Sequence, residues 1–192
     1  MSAIPSSRLQ SHLSISLFPT ALGWIGLAGS QQGVSALVFG HDGPLEAREA
    51  LSRLVGEEVE LEDWSISLRN RLEAFADGIA DDFADVKLNL PKLTPFQSRV
   101  IGQVRQVGFG ETITYGELAT RSGNPGAARA VGTVMSHNRI PLMIPCHRVI
   151  GRSGRLCGFS APDGISMKQR LLQLEGSSLT ISSKMKRPLV LA

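Results

Sequence analysis

The segment "IPLMIPCHRVIG", residues 140–151, places a cysteine, a histidine and an arginine in succession between two apolar runs. A thiol becomes a nucleophile once it is deprotonated, and an imidazole close by is a base that can take its proton. Burying an imidazole and a guanidinium without partners is costly. The segment is therefore either a buried turn with a structural cysteine or a reactive site built around Cys146, with His147 and Arg148 beside it.

The content of metal-binding residues argues against a metal centre. The chain has two cysteines, Cys146 and Cys157, and four histidines that are scattered along it. A disulfide framework needs more cysteines, and the usual zinc frameworks need four Cys or His ligands at short spacing. We expect no metal and no cofactor.

The first residues lack a basic region followed by an apolar core, and no apolar run approaches the length of a membrane span. We therefore expect a protein without a membrane partner, located in the cytoplasm at the nucleoid, or in the nucleus if the source is eukaryotic.

Charge is distributed unevenly along the chain. The net charge is only +3, but residues 99–155 hold eight arginines, no lysine and two acids, Glu111 and Glu117. Most aspartates and glutamates lie in the first half. Because the basic part also contains the cysteine segment, the pattern favours an anionic partner there.

The elements that must position the cysteine begin with a strand-rich N-terminal part. Residues 11–40 predict strands: "SHLSISLF" alternates between polar and apolar residues, and the two apolar runs around the "GSQQG" turn are typical of a hairpin. "DGPLEAREALSRLVG" predicts a helix from Pro44 to a stop at Gly56, and "WSISLRNRLEAFADG" predicts a second helix. The buried stripe of the first helix is predicted to contain Leu45, Leu51, Leu54 and Val55; that of the second, Leu68, Leu72 and Phe75.

Strands followed by helices indicate an α+β fold, with a small sheet-plus-helix domain at residues 1–90 and a mainly helical domain at 91–192. "KLNLPKL", within residues 86–93, predicts an extended linker between them. Thr94 and Gln97 form a capping box that opens a helix predicted to end at Gly108. "TYGE" opens a second, short helix in the same way, and a third is predicted from a cap at Asn124.

The last two helices, about four residues apart, match a helix-turn-helix. The second carries mostly small side chains: Ala127, Ala128, Ala130, Gly132 and Thr133. Small residues suit either close packing against another helix or insertion into a narrow groove. Arg129, in the middle of this small surface, favours the groove.

These motifs together resemble the O6-alkylguanine-DNA alkyltransferases. The matching residues are "GNPGAARAVGTVMSHNRIPLMIPCHRVI" and "KQRLLQLEG", and the resemblance covers about residues 92–176. It implies direct-reversal repair of double-stranded DNA, in which an alkyl (methyl) group moves irreversibly from O6-alkylguanine to Cys146, so that each protein acts once. O4-alkylthymine is a further substrate that such a protein could accept. The resemblance also implies a monomer that binds the minor groove and flips the damaged base.

The resemblance assigns roles to several residues of the site. Cys146 is the nucleophile, His147 deprotonates it through a water, and Glu175 orients His147. A tight turn at Pro145 would bring the Cys146 and His147 side chains to one side. Asn138 joins the helix-turn-helix to the cysteine segment, and its simpler interpretation as a helix C-cap is compatible with this role.

On the DNA side, the resemblance makes Arg129 the residue that occupies the place of the extruded nucleotide. Tyr115 helps to turn the nucleotide and donates a hydrogen bond to the guanine ring. The small helix residues Ala127, Ala128 and Thr133 complete the DNA contact. The substrate pocket is expected to contain Pro141, Phe159, Ser160 and Lys168, with a solvated helix lysine as the alternative for Lys168.

The sequence departs from the family in the loop "CGFSAPDG". Phe159 and Ser160 hold the aromatic and polar positions, but "APDG" replaces a pair of glycines and lengthens the loop. Cys157 stands where a small residue is common, and we interpret it as a pocket-wall or structural residue rather than a second alkyl acceptor.

Three other functions compete with repair. A non-catalytic alkyltransferase-like protein would bind the lesion but lack the nucleophile, which this chain has. A helix-turn-helix regulator would not need Cys146, His147 and Glu175. A cysteine hydrolase would turn over repeatedly, whereas a thioether to an alkyl carbon is not hydrolysed.

Overall fold

The computed structural model describes residues 13–56 and 60–177. Strands β1 (Ser14–Thr20), β2 (Gly23–Ser30) and β3 (Gly33–His41) form an antiparallel sheet. The short β4 (Glu60–Leu61) is added parallel to β1, so that the strand order is β3-β2-β1-β4. The predicted hairpin is confirmed, with its turn between Ser30 and Gly33; positions 11 and 12 of the predicted strand region lie outside the described residues.

Helix α1 (Pro44–Val55) packs against the sheet, and α2 (Ile66–Ala76) follows β4. The predicted stripe of α2 is buried at Leu68, Leu72 and Phe75. The stripe of α1 was predicted wrongly at Leu45, which is 73% exposed. The buried face is instead defined by Ala47 and Leu51, four residues apart, and Leu45 points to another side of the helix.

The C-terminal part contains the helices α3 (Pro95–Val104), α4 (Tyr115–Arg121), α5 (Ala128–Ser136) and α6 (Ile165–Leu174). Two very short strands, β5 (Ile113–Thr114) and β6 (Val149–Ile150), pair in parallel. Helix α4 packs against α5, and both contact α3. The α+β class is confirmed.

Both predicted capping boxes are present. In α3, the backbone N–H of Thr94 donates to the Gln97 side chain at 2.8 Å, and the N–H of Gln97 donates back to Thr94 Oγ1 at 3.3 Å. Thr114 and Glu117 do the same at the start of α4. The predicted end of α3 at Gly108 is wrong, because the hydrogen bonds tighten to i→i−3 at Gln106 and Val107.

Helix α5 starts later than its sequence predicts. The N–H of Ala127 donates to the carbonyl of Asn124 at 3.0 Å, so the Asn-Pro-Gly segment forms a turn and Asn124 is not a cap. The connection between α4 and α5 is residues 122–127, six residues rather than four. The first turn of α5 consequently has no side-chain cap.

The predicted linker is extended and bonded to the edge of the sheet. The N–H of Val34 in β3 donates to the carbonyl of Lys87 at 2.9 Å, and the N–H of Asn89 donates to the carbonyl of Val34 at 2.7 Å. One cluster of buried apolar side chains extends from Phe18 and Leu72 to Val104 and Met143, on both sides of this segment. The division into domains at residue 90 stays a prediction, and residues 1–12 and 178–192 of those domains lie outside the described part.

No helix within residues 13–56 and 60–177 has both the length and the apolarity needed to cross a membrane.

Candidate active site

Cys146 lies on the wall of a cleft and is 4% exposed. Residues Cys146–Arg148 form a single 3₁₀ turn directly after Pro145, and the N–H of Arg148 donates to the Pro145 carbonyl at 2.9 Å. The cleft has a volume of about 1250 Å³. The apolar run is therefore interrupted by a tight turn that places one thiol in the wall of an open cleft.

Asn138 holds this thiol from the segment that follows α5. Its Nδ2 donates to Cys146 Sγ at 3.2 Å and to the carbonyl of Ile144 at 2.8 Å. Its Oδ1 accepts the N–H of Ile140 at 3.0 Å. Because all polar atoms of this amide are engaged, its orientation toward the sulfur is fixed.

The resting state of the sulfur is a thiol. Burial raises the pKa of Cys146, and the hydrogen bond from Asn138 and the charge of Lys168 offset this only in part. A nucleophilic reaction at this position therefore needs a base that removes the proton.

His147 is a buried base with one free nitrogen. Its Nε2 lies 2.9 Å from Glu175 Oε1, while its buried Nδ1 has no hydrogen-bond partner among the described residues. Burial lowers the pKa of His147, against the opposing effect of Glu175. The ring is therefore neutral near pH 7, and since the carboxylate can only accept, the proton is on Nε2 and the lone pair on Nδ1.

Glu175 also binds Arg148, which the sequence interpretation did not pair with it. The guanidinium Nη2 and Nε donate to Oε1 at 2.8 and 3.2 Å, Nε also reaches Oε2 at 3.0 Å, and Nη1 donates to the carbonyl of Val107 at 2.7 Å. Both side chains are buried. Burial alone would raise the pKa of Glu175, but the hydrogen bonds from His147 and Arg148 outweigh it and bring the pKa to about 2.

This carboxylate predicts a loss of stability in acid. The pKa of Glu175 is about 2 in the folded protein against a usual 4.5, so it stabilises the fold above pH 4.5, and this stabilisation is lost as the pH falls toward 2. At about 1.36 kcal/mol per pKa unit, the loss is about 3 kcal/mol. The pKa of His147 is also lowered in the folded protein, so protonation of this residue lowers the stability further as the pH falls below 6.5. Urea unfolding at a series of pH values measures this, and a constant unfolding free energy from pH 4.5 to 2 would contradict it.

The cleft brings together many of the predicted DNA and substrate residues. Its lining includes Tyr115, Ala128, Arg129, Cys146, Cys157, Phe159 and Ser160. Burial, followed by the nearby cysteines, raises the pKa of Tyr115 to about 12, so its phenol stays protonated and can donate a hydrogen bond. Arg129 is exposed, and its side chain has no hydrogen-bond partner among the described residues.

Several predicted residues lie outside this lining. His147 and Glu175 are buried and do not line the cleft, and Asn138 and Thr133 line a separate, smaller cavity. Pro141 and Ala127 are half-buried and are not part of the cleft wall.

Lys168 is not a solvated helix lysine. It is buried in α6, and its Nζ donates to the carbonyls of Val149 at 2.6 Å and Cys157 at 3.4 Å. Burial lowers its pKa. The ammonium therefore fastens Cys157, in the cleft wall, to the strand that follows Arg148.

Three charged residues line the cleft without having been predicted as site residues, namely Glu117, Arg121 and Arg152. The arginine-rich run of residues 99–155 was the available signal for the two cations. No three His, Cys, Asp or Glu side chains in the described part of the chain lie together in a metal-binding arrangement.

Comparison with known proteins assigns a family to this arrangement. Residues 95–177 match the family model of the 6-O-methylguanine DNA methyltransferase DNA-binding domain. A methylated-DNA–protein-cysteine methyltransferase of Methanosarcina acetivorans is 38% identical over 161 residues, covering 84% of this chain and 97% of the relative. One from Methanosarcina mazei is 40% identical over 153 residues, covering 80% and 90%.

Solved structures agree with these relatives. The Mycobacterium tuberculosis O6-methylguanine methyltransferase superimposes with a TM-score of 0.69 at 34% identity, covering 85% of this chain and 92% of that one. Mycobacterium tuberculosis OGT in complex with DNA gives a TM-score of 0.68 at 35% identity, covering 84% and 92%. With this similarity over most of its length, the chain belongs to the family of methylated-DNA–protein-cysteine methyltransferases.

Proposed function

We propose that this protein repairs DNA by direct reversal, moving an alkyl group from the O6 atom of guanine to the sulfur of Cys146. The observation that carries the proposal is the group of buried side chains around the thiol. Asn138 donates to Sγ, and His147, held by Glu175, keeps a free basic nitrogen. A helix-turn-helix regulator has no use for such a group.

The reaction balances with the residues of the site. The thiol proton passes to Nδ1 of His147, directly or across one water, and the resulting imidazolium is stabilised by Glu175. The Sγ electron pair attacks the alkyl carbon, the bond from that carbon to O6 breaks, and its electrons stay on the guanine. The phenol of Tyr115, protonated at rest, is assigned to the place beside the ring, where it donates a hydrogen bond to the guanine anion and passes its proton to it. Solvent then reprotonates the tyrosinate, and His147 releases the proton that came from the thiol to solvent, so the net change is the exchange of the alkyl group for a proton.

The thioether product explains why each protein acts once. A carbon–sulfur bond to a saturated alkyl carbon has no carbonyl that water could attack, so the site has no route back to the thiol. Cysteine hydrolases differ in this respect, because their acyl intermediates are hydrolysed.

The substrate is proposed to be double-stranded DNA bound through its minor groove to a monomer. The small residues of α5 and the arginines beside the cleft support this orientation. A stacked and paired guanine cannot present its O6 group to a thiol inside a cleft, so the damaged nucleotide must leave the helix. We assign Arg129 to the space that it leaves, with Ala127, Ala128 and Thr133 against the DNA.

The pocket for the alkylated base is assigned to Phe159 and Ser160, which line the cleft with Cys146. Lys168 supports this pocket from behind through the carbonyl of Cys157. Pro141, at the start of the loop that leads to Cys146, is half-buried and does not line the cleft, so its part in the pocket rests on the resemblance alone.

The test is a mass measurement after incubation with duplex DNA that contains O6-methylguanine. We expect one methyl group per protein, on the peptide that contains Cys146, and no further gain with excess DNA. A Cys146→Ala variant should bind the DNA and never gain the mass. Repeated turnover, or methylation elsewhere only, would overturn the proposal.

A further inference from the structure

Asn138 lies at a junction between three parts of the fold. Its backbone N–H donates to the carbonyl of Met135 at the end of α5, at 3.3 Å, and its side chain holds the thiol of Cys146. The next residue, Arg139, contacts the N-terminal half of the chain. The position of the Asn138 amide therefore depends on contacts made on both sides of it.

Arg139 makes two hydrogen bonds to the N-terminal half. Its carbonyl accepts the backbone N–H of Leu37, in the middle of β3, at 2.8 Å. Its Nη1 donates to the carbonyl of Leu54, in the last turn of α1, at 3.2 Å. Carbonyls at the end of a helix lack partners within the helix, and a cation is favourable there.

The segment around Arg139 is too tightly bonded to absorb a shift. Oδ1 of Asn138 accepts the N–H of Ile140, and the carbonyl of Ile140 accepts the N–H of Ile144 at 2.9 Å. Arg139 therefore sits inside a closed turn, and a movement of its backbone carries Asn138 with it. The strength of a hydrogen bond falls steeply with distance and angle, so a small displacement weakens the contact with Sγ.

We propose that Arg139 is a positioning residue, through which β3 and α1 hold Asn138 against the sulfur of Cys146 and so set the reactivity of the thiol. The proposal rests on the proposed function in one respect, that Cys146 is the group that reacts. It gives the N-terminal sheet a part in the chemistry, although none of its residues lines the cleft.

The test removes the arginine bond and measures the thiol without DNA. In Arg139→Met the aliphatic stem remains and the donor is lost. Alkylation of Cys146 by iodoacetamide, followed by peptide mass spectrometry from about pH 6 to 10, gives the rate and its pH profile. We expect a rate about threefold to tenfold lower at neutral pH and a profile displaced to higher pH, because the thiolate loses part of a charge-assisted hydrogen bond.

Two further variants separate positioning from general stability. Arg139→Lys keeps a donor and should restore most of the rate. Arg170→Met is the matched control, because Arg170 is also exposed and donates from α6 to the carbonyl of Ala21 in the N-terminal half, away from Asn138. The pH profile of iodoacetamide alkylation in Arg170→Met should equal that of the wild type, even if the melting temperature of this variant is lower. The titratable groups that face the thiol, namely Tyr115, His147, Cys157 and Lys168, are the same in all variants.

The outcomes are distinct. An unchanged profile in Arg139→Met, or an equal displacement in Arg170→Met, overturns the positioning role. An absence of methyl transfer to wild-type Cys146 instead overturns the proposed function, and the iodoacetamide profiles still report whether Arg139 acts on the thiol. If Arg139→Met does not fold, Arg139→Gln, which is shorter but polar, is measured in its place.

Discussion

Replacing Glu175 by glutamine is expected to lower the free energy of unfolding by about 3 to 5 kcal/mol, because it leaves the buried guanidinium of Arg148 without a counter-charge. Arg148 is fully buried, and two of its three guanidinium nitrogens donate hydrogen bonds to this carboxylate. The same variant should slow methyl transfer by roughly 100-fold, since His147 loses the partner that fixes its tautomer and stabilises its charged form. Urea unfolding and single-turnover transfer rates measure the two effects.

A matched carboxylate elsewhere provides the control for stability. Asp85 pairs with Arg71 at 2.8 Å, but its side chain is 72% exposed, so Asp85→Asn should change stability by less than about 1 kcal/mol. If Glu175→Gln costs no more than Asp85→Asn, the buried pair does not stabilise the fold as we describe.

A double variant separates the two roles of Glu175. Combining Glu175→Gln with Arg148→Met removes both charges, and replacing both members of a buried pair is often close to neutral for stability. Stability should recover, while transfer should stay slow because His147 still faces a neutral amide. Recovery of transfer together with stability would show that Glu175 acts only on the fold.

Removal of the Arg129 side chain should separate repair of DNA from reaction with a free base. In Arg129→Ala we expect transfer from a duplex to fall by roughly 100-fold, while reaction with a free O6-alkylguanine base changes by less than about threefold, because only the duplex requires base flipping and unstacking costs a few kcal/mol. Arg129 lies in the first turn of α5, where the helix dipole disfavours a cation. It has no carboxylate partner among the described residues, so a role in folding does not account for it.

Arg48→Ala is the matched control for charge. Arg48 is exposed on α1 and lies outside the cleft lining, so its loss should leave both reactions unchanged. Arg129→Lys retains the charge without the planar guanidinium and should recover duplex repair only in part. Equal losses with the duplex and the free base would contradict the role of Arg129 in flipping.

Much of the fold near the site could be predicted because its signals are local. Thr94 with Gln97, and Thr114 with Glu117, satisfy each other's backbone groups within one turn, so four residues of sequence are enough to place a helix start. Asn124 misled us because an asparagine before Pro-Gly suits a turn as well as a cap. The choice between them depends on where the following helix packs, which the local sequence does not contain.

The parts of the site that could not be predicted depend on contacts between distant residues. Lys168 looks like a surface residue of a helix, and only the fold shows that two backbone carbonyls receive its ammonium. The resemblance paired Glu175 with His147, but nothing in the sequence indicated that Arg148 shares the same carboxylate 27 residues away. Strands of two residues, such as β5 and β6, are too short to show any alternation.

The hydrogen bonds along the outer side of β3 have a consequence for any attempt to produce the halves of this protein separately. Leu37 in this end strand is covered by a residue that lies about a hundred positions later, and the apolar face behind it packs against the C-terminal helices. A chain cut after residue 90 would keep the bonds from Lys87 and Asn89 to Val34 but leave the edge of β3 uncovered at Leu37, beside exposed apolar surface, and this combination recruits other chains into intermolecular sheets. Aggregation of such a fragment is the expected result, and fusion partners or labels are better attached to the intact chain than placed at this junction.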